Sequence, residues 1–395
     1  MLHRHAAALL AASLGMTLVA AAAPRIAQSP GQRIVAVGDI HGSLEGLTEI
    51  LKAAELIDAS GQWSGGSAHL VQTGDYLDRG DKVRDVLEML MRLEDEARRA
   101  GGRAEVLLGN HEVMNLVTDL RDVSTNAFAA FADDRSAQRQ ERAYRDYEKL
   151  MKRTDRTAIP VEQWTAAHPP GFVEYVEALE PRGRYGKWLR ERKVVVEDGG
   201  TIFMHAGLSE DTTGSLEDVN KRVHGDLEDW DRARDMLQRA ELVLPVFTLP
   251  ETLDAIGAEL KRIATAFESK QPVGEHVTRE FVDALRAAGQ IGKSSLLRED
   301  GPLWFRGFAE WPDDDPAKVE ALLQRFKAVR FVTGHTPIVK GITSRFDHRI
   351  FLIDTGMLSS RYPGGRASAL EMVGDTVTAI YSNGREVLAQ PAVKD

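Results

Sequence analysis

The chain has 395 residues, no cysteine, a formal net charge of −10, and 43% hydrophobic against 28% charged residues. Such proportions belong to a globular protein with a large core, in one big domain or two ordinary ones. Without cysteine there are no disulfides, thiolate nucleophiles or cysteine-ligated metals, and the acidic balance argues against a general nucleic-acid binder.

In chain order, Arg4 between His3 and His5 precedes an uncharged Ala/Leu-rich run, Ala6 to Ala23, with small residues at Ala21 and Ala23. Residues 1–23 therefore read as a signal peptide, with a single N-terminal membrane anchor as the competing reading. Export of a cysteine-free chain suits a periplasmic location. Arg33–Val37 is a strand of buried type ending in Gly38-Asp39-Ile40-His41-Gly42. Ser43 is expected to cap a helix lined by Leu44, Leu47, Leu51 and Ala54. The run His69–Thr73, too short for a helix, ends in Gly74-Asp75-Tyr76-Leu77-Asp78-Arg79-Gly80. Asp81 is the expected N-cap of a helix marked by Val83, Val86, Leu87, Leu90 and Leu93. A third unit follows: Ala104–Leu108, then Gly109-Asn110-His111-Glu112, then a helix from Val113. Successive strand–turn–helix units predict a parallel sheet with right-handed crossovers.

From about 118 to 192 the sequence turns polar and helical. Its basic cluster (Arg139, Arg142, Arg145, Lys149, Lys152, Arg153) reads as a solvated face mixed with acids rather than a binding surface. Lys193–Glu197 and Thr201–Met204 flank Asp198-Gly199-Gly200, a hairpin signature, and the second strand ends at His205-Ala206-Gly207. A second helical stretch covers about 215–300, after which Val329–Thr333 ends in Gly334-His335-Thr336. The tail has an antiparallel pattern with turns at Gly374-Asp375 and Asn383-Gly384. The helical stretches read as insertions into one α/β domain spanning 30–392.

Asp39, His41, Asp75, Asn110, His205 and His335 share one address, just past the end of an apolar strand, where open α/β sheets build their sites. Oxygen and nitrogen ligands with one carboxylate free to bridge suit two divalent ions about 3.5–4 Å apart. A structural zinc site would show cysteines or a compact His pair, and a calcium loop more carboxylates. Any one of these histidines alone reads as structural; their recurrence at strand ends does not.

Gly-Asp-x-His-Gly at 38–42, Gly-Asp-x-x-Asp-Arg-Gly at 74–80 and Gly-Asn-His-Glu at 109–112 resemble the metal-dependent PPP-type phosphatases. His-Ala-Gly at 205–207 and Gly-His at 334–335 complete the pattern of the broader calcineurin-like metallophosphoesterase superfamily. Gly109–Asn115 and Pro302-Leu303-Trp304-Phe305-Arg306-Gly307 look like the bacterial Shewanella-like branch, which leaves both phosphotyrosine and phosphoserine/threonine open as substrates. The resemblance implies a mixed β-sheet sandwich flanked by helices. It implies that Asp39, His41 and Asp75 hold one metal, and that Asp75 bridges to a second completed by Asn110, His205 and His335. His111 is the implied general acid, Asp78 its orienting carboxylate, and Arg79 and Arg306 the arginines that grip phosphate. Manganese is the expected ion, with iron or zinc as alternatives.

These roles make chemical sense. Two dications acidify a shared water, so that hydroxide attacks phosphorus in line, while a poor leaving group takes a proton from His111. The expected activity is phosphomonoester hydrolysis on phosphoprotein or phosphopeptide side chains. One alternative is a symmetrical dinucleoside-polyphosphate hydrolase or nucleotidase. Another is a catalytically silent metal- or phosphate-binding protein, which would have no need of a proton donor. Trp164, Trp188 and Trp230 read as core rather than as site walls. Insertions rising beside the metals would deepen the cleft and favour phosphotyrosine. The oligomeric state is left open.

Overall fold

β1 (Arg33–Val37) shows how the layers are built, because its side chains alternate between two cores. Ile34 and Ala36 face an apolar layer shared with a second sheet, while Val35 and Val37 join the helix-side core. That is the period-two alternation of a strand buried on both faces. The computed structural model describes residues 32–390; the expected signal segment 1–23 lies outside the described residues. Among those described, no helix is long and apolar enough to cross a membrane.

The first half follows the strand–helix alternation. β1 leads to α1 (Leu44–Ala53), β2 (His69–Gln72), α2 (Val83–Arg99), β3 (Arg103–Val106) and α3 (Asn110–Leu116). β1, β2 and β3 pair in parallel. The first insertion holds α4 (Thr125–Ala129), α5 (Ser136–Arg153), α6 (Val161–Ala167), α7 (Phe172–Leu179) and α8 (Arg184–Arg190). The hairpin β4 (Val195–Asp198) and β5 (Thr201–Met204) turns on Gly199 and Gly200, both at positive φ, as a two-residue turn requires. The second insertion holds α9 (Leu216–Arg239), α10 (Leu249–Glu268) and α11 (Arg279–Ala288). Short α12 (Gly307–Glu310) and α13 (Ala317–Phe326) lead into β6 (Arg330–Thr333), β7 (Thr343–Arg345) and β8 (Ile350–Leu352). The chain closes on β9 (Ser368–Val373), β10 (Thr376–Tyr381) and β11 (Gly384–Ala389).

One sheet has the order β11-β10-β9-β1-β2-β3 and the other β4-β5-β6-β8-β7. The layer between them is apolar, with Ile34, Val71 and Leu370 from the first sheet packed with Phe203, Val332 and Phe351 from the second. Both sheets are mixed. β9, β10 and β11 pair antiparallel through the turns at Gly374-Asp375 and Asn383-Gly384, as the sequence suggests, while β8 pairs in parallel with β6.

Three helix starts depart from the sequence reading, in their capping or their position. Asp81 does not cap α2: its carboxylate accepts hydrogen bonds from Ser124 Oγ (2.7 Å) and Asn126 Nδ2 (3.0 Å), a tertiary contact that displaces the local cap. Ser43 makes no side-chain cap bond either. α3 starts at Asn110 rather than Val113, because Glu112 reaches back to accept from Gly109 N at 2.8 Å. The basic cluster on α5 is paired with acids as expected: Arg139 with Asp133 and Glu174, Lys149 with Asp146, Arg153 with Glu241.

Candidate active site

Each predicted turn ends a parallel strand or enters the loop beyond it, and several adopt costly backbone. His41, Asp75, Asp78, Arg79 and His335 all have φ between 46° and 67°, the left-handed region that non-glycine residues rarely occupy. Strain of this kind persists only where the surrounding structure fixes it, and it concentrates at functional sites. The motif glycines are explained by close approach. A Cβ on Gly109 would lie 2.2 Å from Asp75 Oδ1, and one on Gly334 would lie 2.2 Å from Asp39 Oδ1.

The turns converge on Asp75. His205 Nε2 lies 3.3 Å from Asp75 Oδ2, 2.9 Å from Asn110 Oδ1 and 3.0 Å from His335 Nδ1. From the other side, His41 Nε2 lies 3.6 Å from the same Asp75 oxygen and 3.9 Å from Asp39 Oδ2. All six of these residues are buried. Each imidazole is oriented through its far nitrogen: His41 Nδ1 to Leu77 O (2.9 Å), His205 Nδ1 to Thr73 O (3.1 Å) and His335 Nε2 to Trp304 O (3.0 Å). A ring that donates from one nitrogen presents the other as a lone pair, the arrangement metal-ligating histidines use.

Electrostatics fit the same reading. Burial pushes the Asp39 carboxyl well above its usual range, helped by Asp354 and Asp75. Burial also lowers His41 to about 3 and His335 well below its ordinary value, which keeps both rings neutral. For Asp75, burial acts upward, but its interactions with His205 and His111 outweigh it and hold the carboxyl well below its ordinary value. Crowded buried carboxylates and neutral imidazoles, with their donors converging on two sides of one oxygen, suit divalent cations. Ligand atoms of Asp75, His205 and His335 lie within 4.8 Å of one another, as do those of His41, Asp75 and His111.

The expected acid sits beside them. His111 Nδ1 is 2.6 Å from Asp78 Oδ2, and Asp78 is fully buried. Burial lowers the His111 pKa, but Asp75 and Asp78 outweigh it and hold it above the ordinary value. Arg79 Nη2 is 2.9 Å from His111 Nε2, and Arg79 Nη1 is 2.7 Å from His41 Nε2. Arg306 also reaches the site, donating from Nη1 to His335 O (3.1 Å) and Thr336 Oγ1 (3.0 Å). Asp75, Arg79, Asn110, His111, Arg306 and His335 line one cleft of about 240 Å³, and Asp39, His41, Asp78 and His205 stand directly against these residues.

Several neighbours carried no assignment from the sequence. Glu112 accepts from the backbone N–H groups of Asp75 (2.7 Å), Tyr76 (2.9 Å), Leu77 (2.9 Å) and Gly109 (2.8 Å), tying the second turn to the third. Burial pushes its carboxyl up to about 7, against the pull of those N–H groups. Asn115 donates to Asp78 Oδ1 at 2.7 Å, and its own oxygen accepts from Tyr175 OH at 2.6 Å. Tyr362 hydrogen-bonds Arg79 Nη1. Asn115 was findable, since it follows His111 by one helical turn; Tyr175 and Tyr362 lie far away in sequence with no local signal. The deep-cleft expectation is corrected. The first insertion contributes only Arg121-Asp122 to the cleft and the second nothing, Trp304 and Arg306 coming from the connection that follows it, while Trp164, Trp188 and Trp230 are buried in the helical layers.

Residues 32–339 match the family described as Calcineurin-like phosphoesterase. The chain belongs to that family. The phosphoesterase is 35% identical over 210 residues to Shewanella-like protein phosphatase 2 of Arabidopsis thaliana, covering 49% of this chain and 51% of the relative. It is 33% identical to Shewanella-like protein phosphatase 1 of Plasmodium berghei, over 50% of this chain and 45% of that one. The matches thus span about half the length of these two relatives. An uncharacterized protein of Schizosaccharomyces pombe is 28% identical over 88% of this chain and 80% of its own length. Among solved structures, the cold-active protein-tyrosine phosphatase of a psychrophilic Shewanella species shares the fold, with a TM-score of 0.57 and 22% identity over 92% of this chain and 82% of that chain.

Proposed function

We propose that the chain is a dinuclear metal-dependent phosphomonoesterase acting on phosphorylated protein side chains. The observation that carries the reading is the position of Asp75 Oδ2 between two sets of donors, with the His111–Asp78 pair beside it. Asp39, His41 and Asp75 would hold one ion, and Asp75, Asn110, His205 and His335 the other, with manganese as the expected species. When bound, such ions supply Lewis acidity toward phosphate oxygens and a water acidified at neutral pH.

The chain's own residues supply the rest. Arg79 and Arg306 present guanidinium donors to phosphate oxygens from two sides of the cleft. Once Arg79 turns from His111 to the phosphate, His111 Nε2 is free to carry a proton for the departing oxygen, and Asp78 fixes the ring by taking its Nδ1–H. Burial of Asp75, Asn110 and His205 keeps bulk water from the reacting phosphate, which strengthens each charge contact there. The name of the 35% identical plant relative, a protein phosphatase, supports phosphoproteins as the substrate class, with phosphotyrosine and phosphoserine/threonine both in range.

Turnover of a panel tests this reading: phosphotyrosine and phosphoserine peptides, an aryl phosphate and a symmetrical dinucleoside tetraphosphate, on chelator-stripped protein reloaded with manganese, iron or zinc. Metal-dependent hydrolysis of the peptides is the expected result. Hydrolysis of the dinucleotide alone would overturn the phosphoprotein assignment, and activity without metal would overturn the metal reading.

A further inference from the structure

The cleft holds a third guanidinium for which the proposed hydrolysis has no use. Arg121 lies on the connection between α3 and α4 and lines the same cleft as Arg79 and Arg306. Its side chain is 66% exposed, although one nitrogen, Nη2, is held by the carboxylate of the buried Asp119. Among the described residues it makes no other side-chain hydrogen bond, so its remaining N–H groups face the cleft and solvent.

The connection that displays Arg121 is fixed to the catalytic turns. Asp119 N donates to Met114 O at 2.8 Å, and Arg79 N donates to Asp122 O at 2.9 Å. Asp122 Oδ2 stands 3.9 Å from His111 Nδ1, on the Asp78 side of the ring, and Arg121, Asp122 and His111 all line the cleft. A proton donor marks the side from which the leaving group departs. The substrate residue's oxygen, and the peptide attached to it, therefore leave past His111, through the cleft whose wall residues 121 and 122 help to form. Arg79 and Arg306 already serve the transferred phosphate, which leaves Arg121 facing what flanks it.

We propose that Arg121 reads an anionic group next to the phosphorylated residue, either a carboxylate or a second phosphate. The proposal rests on the phosphoprotein reading above. Asp119 and Asp122 offset the arginine's field at a distance, so recognition comes from directed hydrogen bonds by a pre-anchored guanidinium rather than from general attraction. Anchoring by Asp119 also lowers the rotamer freedom that an exposed arginine otherwise loses on binding.

The test uses the full metal-reloaded chain and phosphopeptides that differ only beside the phosphorylated residue: alanine, glutamate or a second phosphorylated residue. The wild-type protein should prefer the anionic neighbours over alanine by about three- to tenfold in kcat/KM, the size of an exposed charge-assisted contact. Arg121→Gln can still donate to Asp119 but carries no charge, and should bring that ratio close to one. Arg121→Lys should retain part of the preference. A gain with glutamate assigns the carboxylate as ligand, and a gain only with the second phosphate assigns phosphate. If the peptides are hydrolysed with no preference, or with one that Arg121→Gln leaves intact, the Arg121 assignment fails and the phosphatase reading stands. If no phosphopeptide is hydrolysed while the aryl phosphate or dinucleotide is, both fail together.

Discussion

Asp78 Oδ2 lies 2.6 Å from His111 Nδ1, and the other Asp78 oxygen is held by Asn115, itself held by Tyr175. The chain His111–Asp78–Asn115–Tyr175 runs from the catalytic turns into α7 of the first insertion. In the proposed mechanism the insertion would act on the chemistry by fixing the Asp78 carboxylate, while only its Arg121-Asp122 connection forms part of the cleft wall.

His111→Ala is expected to slow hydrolysis of alkyl phosphates by about 10²–10⁴-fold, the usual effect of losing a general acid. Aryl phosphates with acidic leaving groups need no proton and should lose much less. The check is a series of esters of graded leaving-group pKa. A uniform loss across the series would remove His111 from the acid role.

Glu112→Gln should destabilise the fold itself. Each carboxylate oxygen serves two backbone N–H groups: Oε2 those of Asp75 and Gly109, and Oε1 those of Tyr76 and Leu77. An amide replaces one oxygen with an NH₂ group that meets two buried donors. Leaving such donors unpaired costs about 1–3 kcal/mol apiece, so a loss of about 2–6 kcal/mol is expected. Urea unfolding at unchanged slope reads it, and a shift below about 0.5 kcal/mol would contradict the role given to Glu112.

Much of this site was legible because parallel strands deliver their turns to one edge, and each turn carries ligands beside a glycine. The glycines at 109 and 334 are required by the Asp75 and Asp39 carboxylates that crowd them. Local signals failed where a distant partner won. Asp81 looks like a cap for α2, yet bonds Ser124 and Asn126 instead, across a separation no periodicity records. Tyr175 and Tyr362 were invisible for the same reason: each reaches the site from an element whose packing the sequence does not specify. Arg306, which the sequence suggests as a second phosphate arginine from a short segment around Trp304, lies beside His335.

Arg306→Ala removes a guanidinium that, among the described residues, hydrogen-bonds only His335 O and Thr336 Oγ1 at the cleft. The fold should survive, because the side chain supports no core. KM should rise and kcat/KM fall by about 10–100-fold, as for the loss of a charge-assisted contact to phosphate. Unchanged kinetics with phosphopeptides would mean that phosphate is gripped from elsewhere.

The most direct test of two-ion catalysis is a metal titration of chelator-stripped protein, with bound manganese per chain and phosphopeptide turnover measured on the same samples. Asp75 bridging predicts two ions per chain, activity that returns as the second site fills, and an Asp75→Asn variant that binds fewer than two and stays near background. Full turnover at one ion per chain, or an Asp75→Asn variant that binds two and works normally, would contradict it.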